Sequence, residues 1–282
     1  MSKVIRFSDI VDAVKGLCLQ AAFRLPDDTL KALQESLSPE KSPAGRSILN
    51  QCLQNASLAS SESLPLCQDT GFAIFFVNIG SEVSVDGGIL TDAINEGVRR
   101  GYKEGYLRNS IVKDPLFNRI NTGDNTPALI HIDMIKGDTL SITLLPKGGG
   151  CENMSSLAML KPSDGKEGII DFIVSTVVKA GGNPCPPVVV GAGIGGTADK
   201  AALLAKKALL RRIGSSHADP QYAGLEKEIL TRINDSGVGP QGLGGTVSAL
   251  AVHIETFPCH IASMPVAVNL NCHSARKATV NL

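Results

Sequence analysis

The chain has 282 residues, with 27 Lys plus Arg against 27 Asp plus Glu and a formal net charge of zero, so its charge favours neither nucleic acid nor an anionic membrane surface as a partner. Its apolar stretches are broken by Pro, Gly or charge well short of the ~20 residues that span a bilayer, and the amino terminus lacks a signal peptide's apolar core and cleavage site. Seven scattered cysteines do not form the pattern of a secreted disulfide framework. A reducing, cytoplasmic setting is therefore expected, in which each thiol is core filler, a reactive group or a metal ligand.

The first predicted element is a helix with Ser8 as its N-cap and Ile10, Val11, Val14, Leu17, Cys18 and Ala21 on one stripe. The helical pattern continues to about residue 60, broken at Pro26 and at "LSPEKSPAG". From "FAIFFVNIG" at 72–80 the pattern changes to short β-branched and aromatic runs, followed by a helix over 91–107. "ALIHIDMI" (128–135) and "TLSITLLP" (139–146) flank Lys136, Gly137 and Asp138, and this spacing predicts a β-hairpin. Farther on, "AGLEKEILTRINDSGVG" has the pattern of another helix. The expected fold class is mixed α/β: an α-helical N-terminal segment at about 5–60, then a β-containing domain with flanking helices. No compositional shift marks a linker, so residues 1–282 are expected to form a single domain.

Two features of "NPCPPVVVGAGIGGTADKAALLAKKALL" (183–210) point to different chemistries. Gly191, Gly193 and Gly196 spell G-x-G-x-x-G, a dinucleotide-binding pattern. A nucleotide fold, however, needs an acidic residue about 20 positions on, at the end of a second strand. Here that region is "RRIGSSHADP", where Asp219 lies in a polar turn. The alternatives are a close strand-to-helix turn or a helix start at Thr197 facing a carboxylate. Cys185 is the other feature. Cys67 in "PLCQDTG", Cys185 in "NPCPP" and Cys272 in "NLNCHSA" all fall where Pro, Gly, Asn or Asp punctuate the backbone. Loops of this kind can converge in space, whereas a closely spaced C-x-x-C pair would mark a local zinc or redox site. Spacing alone leaves buried thiols equally open.

The blocks "PLCQDTG", "NTGDNTPA", "PKGGGCENMSSLAMLKPSDG", "NPCPPVVVGAGIGGT", "GPQGLGGTVSALAVHIET" and "HIASMPVAVNLNCHSAR" occur in the order, and at about the separations, of the iron-sulfur (class I) fumarate hydratases. The chain resembles the α subunit of their two-subunit form over residues 5–282. L-tartrate dehydratase α subunits share the cysteine blocks and the glycine triplet. After the triplet and around "NTGDNTPA" the chain resembles the fumarases, whereas Cys151, directly behind the triplet, resembles the tartrate enzymes.

The resemblance implies that Cys67, Cys185 and Cys272 hold a 4Fe-4S cluster with one iron lacking a protein thiolate, an arrangement suited to Lewis-acid dehydration. Cys18, Cys52, Cys151 and Cys259 are then left to core or neutral roles. It also implies roles in hydrating fumarate to malate. Asp69 and His260 would be catalytic groups, a carboxylate and an imidazole that manage protons. Gln68, Arg108, Gly148, Gly149 and Gly150 would bind substrate, the guanidinium pairing with a carboxylate and the glycine N–H groups cradling one. His131, His253 and Arg119 are expected to be structural or surface residues. The family's single-chain members continue into a second domain that carries a catalytic threonine and further basic residues. A β subunit in a higher hetero-oligomer is therefore the expected partner, with a small dicarboxylate as substrate. The rival classes are an NAD-dependent oxidoreductase, a non-catalytic iron-sulfur sensor and a purely structural subunit.

Overall fold

The computed structural model describes residues 3–282. In chain order, β1 (Lys3–Arg6) leads into α1 (Phe7–Phe23), α2 (Asp27–Ser36) and α3 (Pro43–Glu62), followed by β2 (Phe72–Gly80), β3 (Val83–Asp86) and α4 (Leu90–Glu104). Next come β4 (Leu129–Ile135), β5 (Leu140–Lys147), α5 (Gly149–Glu152), β6 (Ser156–Leu160), α6 (Gly165–Ala180) and β7 (Val188–Gly195). The chain closes with α7 (Ala198–Ala208), α8 (Pro220–Asn234), β8 (Ala249–Phe257), β9 (Met264–Asn271) and β10 (Ala278–Asn281). A helical N-terminal segment thus precedes a mixed β/α body with flanking helices. Among the described residues no helix is long and apolar enough to cross a membrane.

Two compact units divide the chain. One comprises 1–26, 57–149 and 276–282, the other 27–56 and 150–275.

The first unit is built on a four-stranded sheet ordered β10-β5-β2-β4. Ile10, Val11 and Val14 of α1 and Ile94 and Val98 of α4 pack with Phe75, Ile142 and Leu144 of the sheet in one buried cluster, each such side chain contributing about 1.5–3 kcal/mol. Two expectations are corrected here. Ser8 is not the N-cap of α1: the helix follows directly from β1, Arg6 takes the cap position, and its guanidinium bridges Asp9 at 2.9 Å. β4 and β5 do not form a hairpin. β2 lies between them, parallel to β4 and antiparallel to β5. The reason lies in "FAIFFVNIG", where a buried run from Ala73 to Val77 suits the centre of a sheet, while β4 keeps Ile132 and Met134 exposed at the edge. The turn after β4 instead closes over the end of β2: Gly80 N–H donates to Thr139 O at 2.9 Å, and a Cβ at Gly80 would lie 2.2 Å from Gly137 O.

The second unit carries a sheet ordered β6-β9-β7-β8. β7 separates its faces by alternation. Val188, Val190, Ala192 and Ile194 join Ile170 and Ile173 of α6 and Ile229 and Ile233 of α8 in one core. Gly191 and Gly193 face α7, where an added Cβ would lie 2.1 Å from Ala205 O or Ala201 O. These glycines let helix and strand backbones touch. Asp219 caps α8 by accepting Gln221 N–H at 2.7 Å, so the acidic residue that follows the glycine motif serves a helix end. On the neighbouring strand β8, His253 is buried as expected.

Candidate functional site

In the first unit the segment between α3 and β2 carries Cys67, Gln68 and Asp69. Cys67 is half-buried, with its Sγ 3.5 Å from Gln68 Oε1 and receiving Asp69 N–H at 3.4 Å. Both oxygens of the Asp69 carboxylate are held by main-chain donors: Gly71 N–H reaches Oδ1 at 3.1 Å and Gly149 N–H reaches Oδ2 at 2.8 Å. Arg108 stands 3.8 Å from Oδ1, its side chain 58% exposed. Its carbonyl accepts the Thr70 hydroxyl at 2.6 Å, tying the arginine to the same loop. A carboxylate fixed by N–H donors beside an exposed guanidinium can hold or move a proton while the cation fixes an anionic partner.

Two glycines of the triplet, Gly148 and Gly149, lie against Asp69. Gly149 opens the four-residue helix α5, and its N–H is committed to Asp69. Gly148 lies against the same carboxylate, its would-be Cβ 3.2 Å from Oδ2. Gly149 thus helps to hold the protein's own carboxylate.

The second unit holds Cys185 and Cys272. Cys185 is exposed and lies just before β7, with φ +54°. Cys272 is half-buried at the end of β9. His273 links the two, donating its N–H to Cys185 O at 3.2 Å, while its Nδ1 lies 3.1 Å from the same oxygen. Burial pulls the His273 imidazole down, but the Cys52 hydrogen bond, the charges at Cys272 and Cys52 and the Cys185 carbonyl together lift it to about 9. None of the seven cysteines is in a disulfide. Cys18, on α1, lies in the core of the first unit, and burial pushes its thiol up to about 12. Among the described residues, no group of three or more His, Cys, Asp and Glu side chains is arranged to hold a metal ion.

His260 lies apart from Cys185 and Cys272. It occupies the exposed turn between β8 and β9, at the Met264 end, and its ring Nδ1 accepts Ala262 N–H at 3.1 Å. Cys272 follows Asn271 at the other end of the eight-residue strand β9, about 23 Å away at ~3.3 Å per residue. His131 stacks on Phe76 with centroids 5.1 Å apart, and Arg119 is exposed.

Three residues near the Asp69 loop escape sequence reading: Tyr102 and Asn125, whose side chains donate to Gly71 O at 3.0 and 3.2 Å, and Arg276. A fourth, Glu40, lies in the predicted break between helices, yet it is fully buried. Its carboxylate accepts N–H from Ser42 (2.8 Å), Thr246 (3.0 Å) and Val247 (2.9 Å), anchoring "GGTV". Only the position of Glu40 inside an otherwise turn-forming segment could have flagged it.

Comparison with known proteins bears on the same residues. The family described as Fumarate hydratase (Fumerase) matches residues 11–281. A protein of Methanocaldococcus jannaschii described as "Putative L(+)-tartrate dehydratase subunit alpha" is 45% identical over 274 residues, covering 95% of this chain and 96% of the relative. The L(+)-tartrate dehydratase subunit alpha of Escherichia coli K12 is 34% identical over 275 residues, covering 96% and 90% respectively; that of Shigella boydii matches at the same identity and coverage. With the match running nearly end to end and including every cysteine block and the Asp69 loop, the chain belongs to the fumarate hydratase family of hydro-lyases, within its fumarase and tartrate dehydratase α-subunit branch.

Proposed function

We propose that the chain is the α subunit of a heteromeric hydro-lyase that adds or removes water at a small hydroxy-dicarboxylate, with L-tartrate as the first substrate to test. One observation carries the reading: Asp69 presents a carboxylate fixed by the N–H groups of Gly71 and Gly149 beside the exposed guanidinium of Arg108, two residues from the thiol of Cys67. The choice of tartrate rests on the relatives named as tartrate dehydratase α subunits and on Cys151. Fumarate is the second reading, favoured by the name of the matched family and by the "NTGDNTPA" block.

Cys67, Cys185 and Cys272 would together hold a 4Fe-4S cluster. The donor set fits: three thiols stand outside the hydrophobic cores, and His273, next to Cys272, is bonded through its main-chain N–H and lies with its ring Nδ1 3.1 Å from the carbonyl of Cys185. Bound by three thiolates, such a cluster supplies a Lewis acid toward the departing hydroxyl. The chain's own residues supply the rest. Arg108 binds a substrate carboxylate through its planar fork. Asp69 takes or returns the proton of the hydroxyl, its oxygens kept in place by Gly71 and Gly149. Gln68 offers an amide to orient the substrate. His260 stands a β9 length from Cys272 within one chain, so it would reach such a site from a second copy of the chain. A β subunit supplies the remaining groups.

The test is anaerobic reconstitution of the chain with its β subunit, iron and sulfide, followed by assays for oxaloacetate from L-tartrate and for fumarate from L-malate. Turnover of tartrate at least tenfold above malate supports the first reading, and the reverse ratio supports fumarate. A coloured complex without turnover of either would leave a sensor; a colourless one would leave a structural subunit.

A further inference from the structure

The Cys67–Gly71 loop lies outside any sheet, yet three of its successive carbonyl groups are engaged by side chains. Arg276 Nη2 donates to Asp69 O at 2.8 Å. The Tyr102 hydroxyl stands 3.1 Å from Thr70 O and 3.0 Å from Gly71 O, its single proton shared between them. Asn125 Nδ2 reaches Gly71 O at 3.2 Å. The donors come from the segment before β10, from α4 and from the loop before β4, and their residues are 4%, 3% and 0% exposed.

Arg276 is the unusual member of this cradle. Its Nε and Nη1 are buried without a hydrogen-bond partner, and no carboxylate pairs with its side chain among the described residues. A methionine would fill similar space without burying a charge, and an unpaired buried charge works against stability. Its one side-chain hydrogen bond falls on the main chain of Asp69, whose carboxylate oxygens are held by Gly71 and Gly149. A charge-assisted bond to a carbonyl is stronger than a neutral one, so the loop is gripped hardest at that residue.

We infer that Arg276, flanked by Tyr102 and Asn125, is a positioning residue that fixes the backbone at Asp69 and so sets the aim of its carboxylate and of the Cys67 thiol. The consequence for turnover rests on the proposed function; the rigidity of the loop does not.

The test is amide exchange over residues 66–71 by mass spectrometry in the assembled complex, together with kcat and KM per cluster. In Arg276→Met we expect exchange at Asp69–Gly71 to quicken about tenfold or more while the rest of the unit is unchanged. We also expect kcat to fall about tenfold with KM within threefold, and Arg276→Lys, which can still donate to one carbonyl, to recover most of both. Arg119→Met, at the surface, should leave both unchanged. Unaltered loop exchange in a folded Arg276→Met, or faster exchange spread evenly through the unit, would overturn the inference. If Arg276→Met does not fold, Tyr102→Phe serves the same test, and unaltered exchange there overturns the inference equally. Faster loop exchange in a complex that turns over no dicarboxylate would uphold the positioning role and remove the proposed function.

Discussion

Gly149 directs its main-chain N–H at Oδ2 of Asp69, 2.8 Å away, across 80 residues of sequence. With Gly71 N–H on Oδ1, two main-chain donors hold the carboxylate beside Arg108. Replacement of Asp69 by Asn removes the base and turns an NH2 toward one of the two N–H donors. A positioned acid or base contributes 10²- to 10⁴-fold, so kcat should fall on the order of 10² or more while the cluster absorbance is retained. Near-normal turnover per cluster would make Asp69 a bystander.

Cluster ligation can be separated from general thiol chemistry by comparing variants. Cys67→Ser, Cys185→Ser and Cys272→Ser should each lose most of the visible absorbance and iron after anaerobic reconstitution, whereas Cys259→Ser, in the exposed β8–β9 turn, should retain both. Full iron content in any of the first three would remove that residue from the ligand set.

The glycines of β7 make a packing prediction. With Ala205 O and Ala201 O only 2.1 Å from a would-be Cβ, Gly191→Ala and Gly193→Ala must push α7 off the strand. Overpacking of this kind costs about 1–3 kcal/mol, so thermal unfolding should begin several degrees lower. NAD should not raise the melting temperature of the unaltered protein, and a saturable rise would revive a nucleotide site.

Glu40 gives the protein an acid limit. Burial raises its pKa, but N–H donors from Ser42, Thr246, Val247 and Lys41 outweigh this and hold it below the ordinary carboxylate value. A depressed folded-state pKa contributes stability that is fully present above the unfolded value, about 4.3–4.5, and is lost as pH falls through the folded value. Glu40→Gln should destabilise the protein by about 1–3 kcal/mol at pH 7 and flatten the fall in stability below about pH 4.5. Urea titrations at pH 7 and pH 4 would show this, and an unchanged pH slope would count against it.

His260 permits a complementation test. Because β9 separates it from Cys272 in the same chain, an inactive His260→Ala chain and an inactive Cys67→Ser chain, assembled together with the β subunit, should regain a measurable fraction of activity at mixed sites. No recovery in assemblies shown by mass to contain both chains would remove the second-copy origin of His260, and a fully active His260→Ala chain would place it outside the reaction.

What the sequence determined was local. The helix breaks at Pro26 and "LSPEKSPAG", the strand at 72–80 and the start of the helix expected over 91–107, which ends at Glu104, are set by side-chain periodicity and by residues that cannot continue a helix, and these need no distant partner. The family, too, was legible, because its motif blocks are contiguous. Tertiary structure decided everything that depends on pairing across long separations. β2 displaced the expected β4–β5 hairpin because a strand buried on both faces gains more at the sheet centre than a short turn gains by joining its neighbours. Gly191 and Gly193 became packing surfaces once α7 lay against them, and Gly149 became a donor to Asp69 once 80 residues of intervening chain had folded. Arg276, Tyr102, Asn125 and Glu40 could not be singled out beforehand, because a polar side chain gains its role only when folding buries it against a particular carbonyl or N–H.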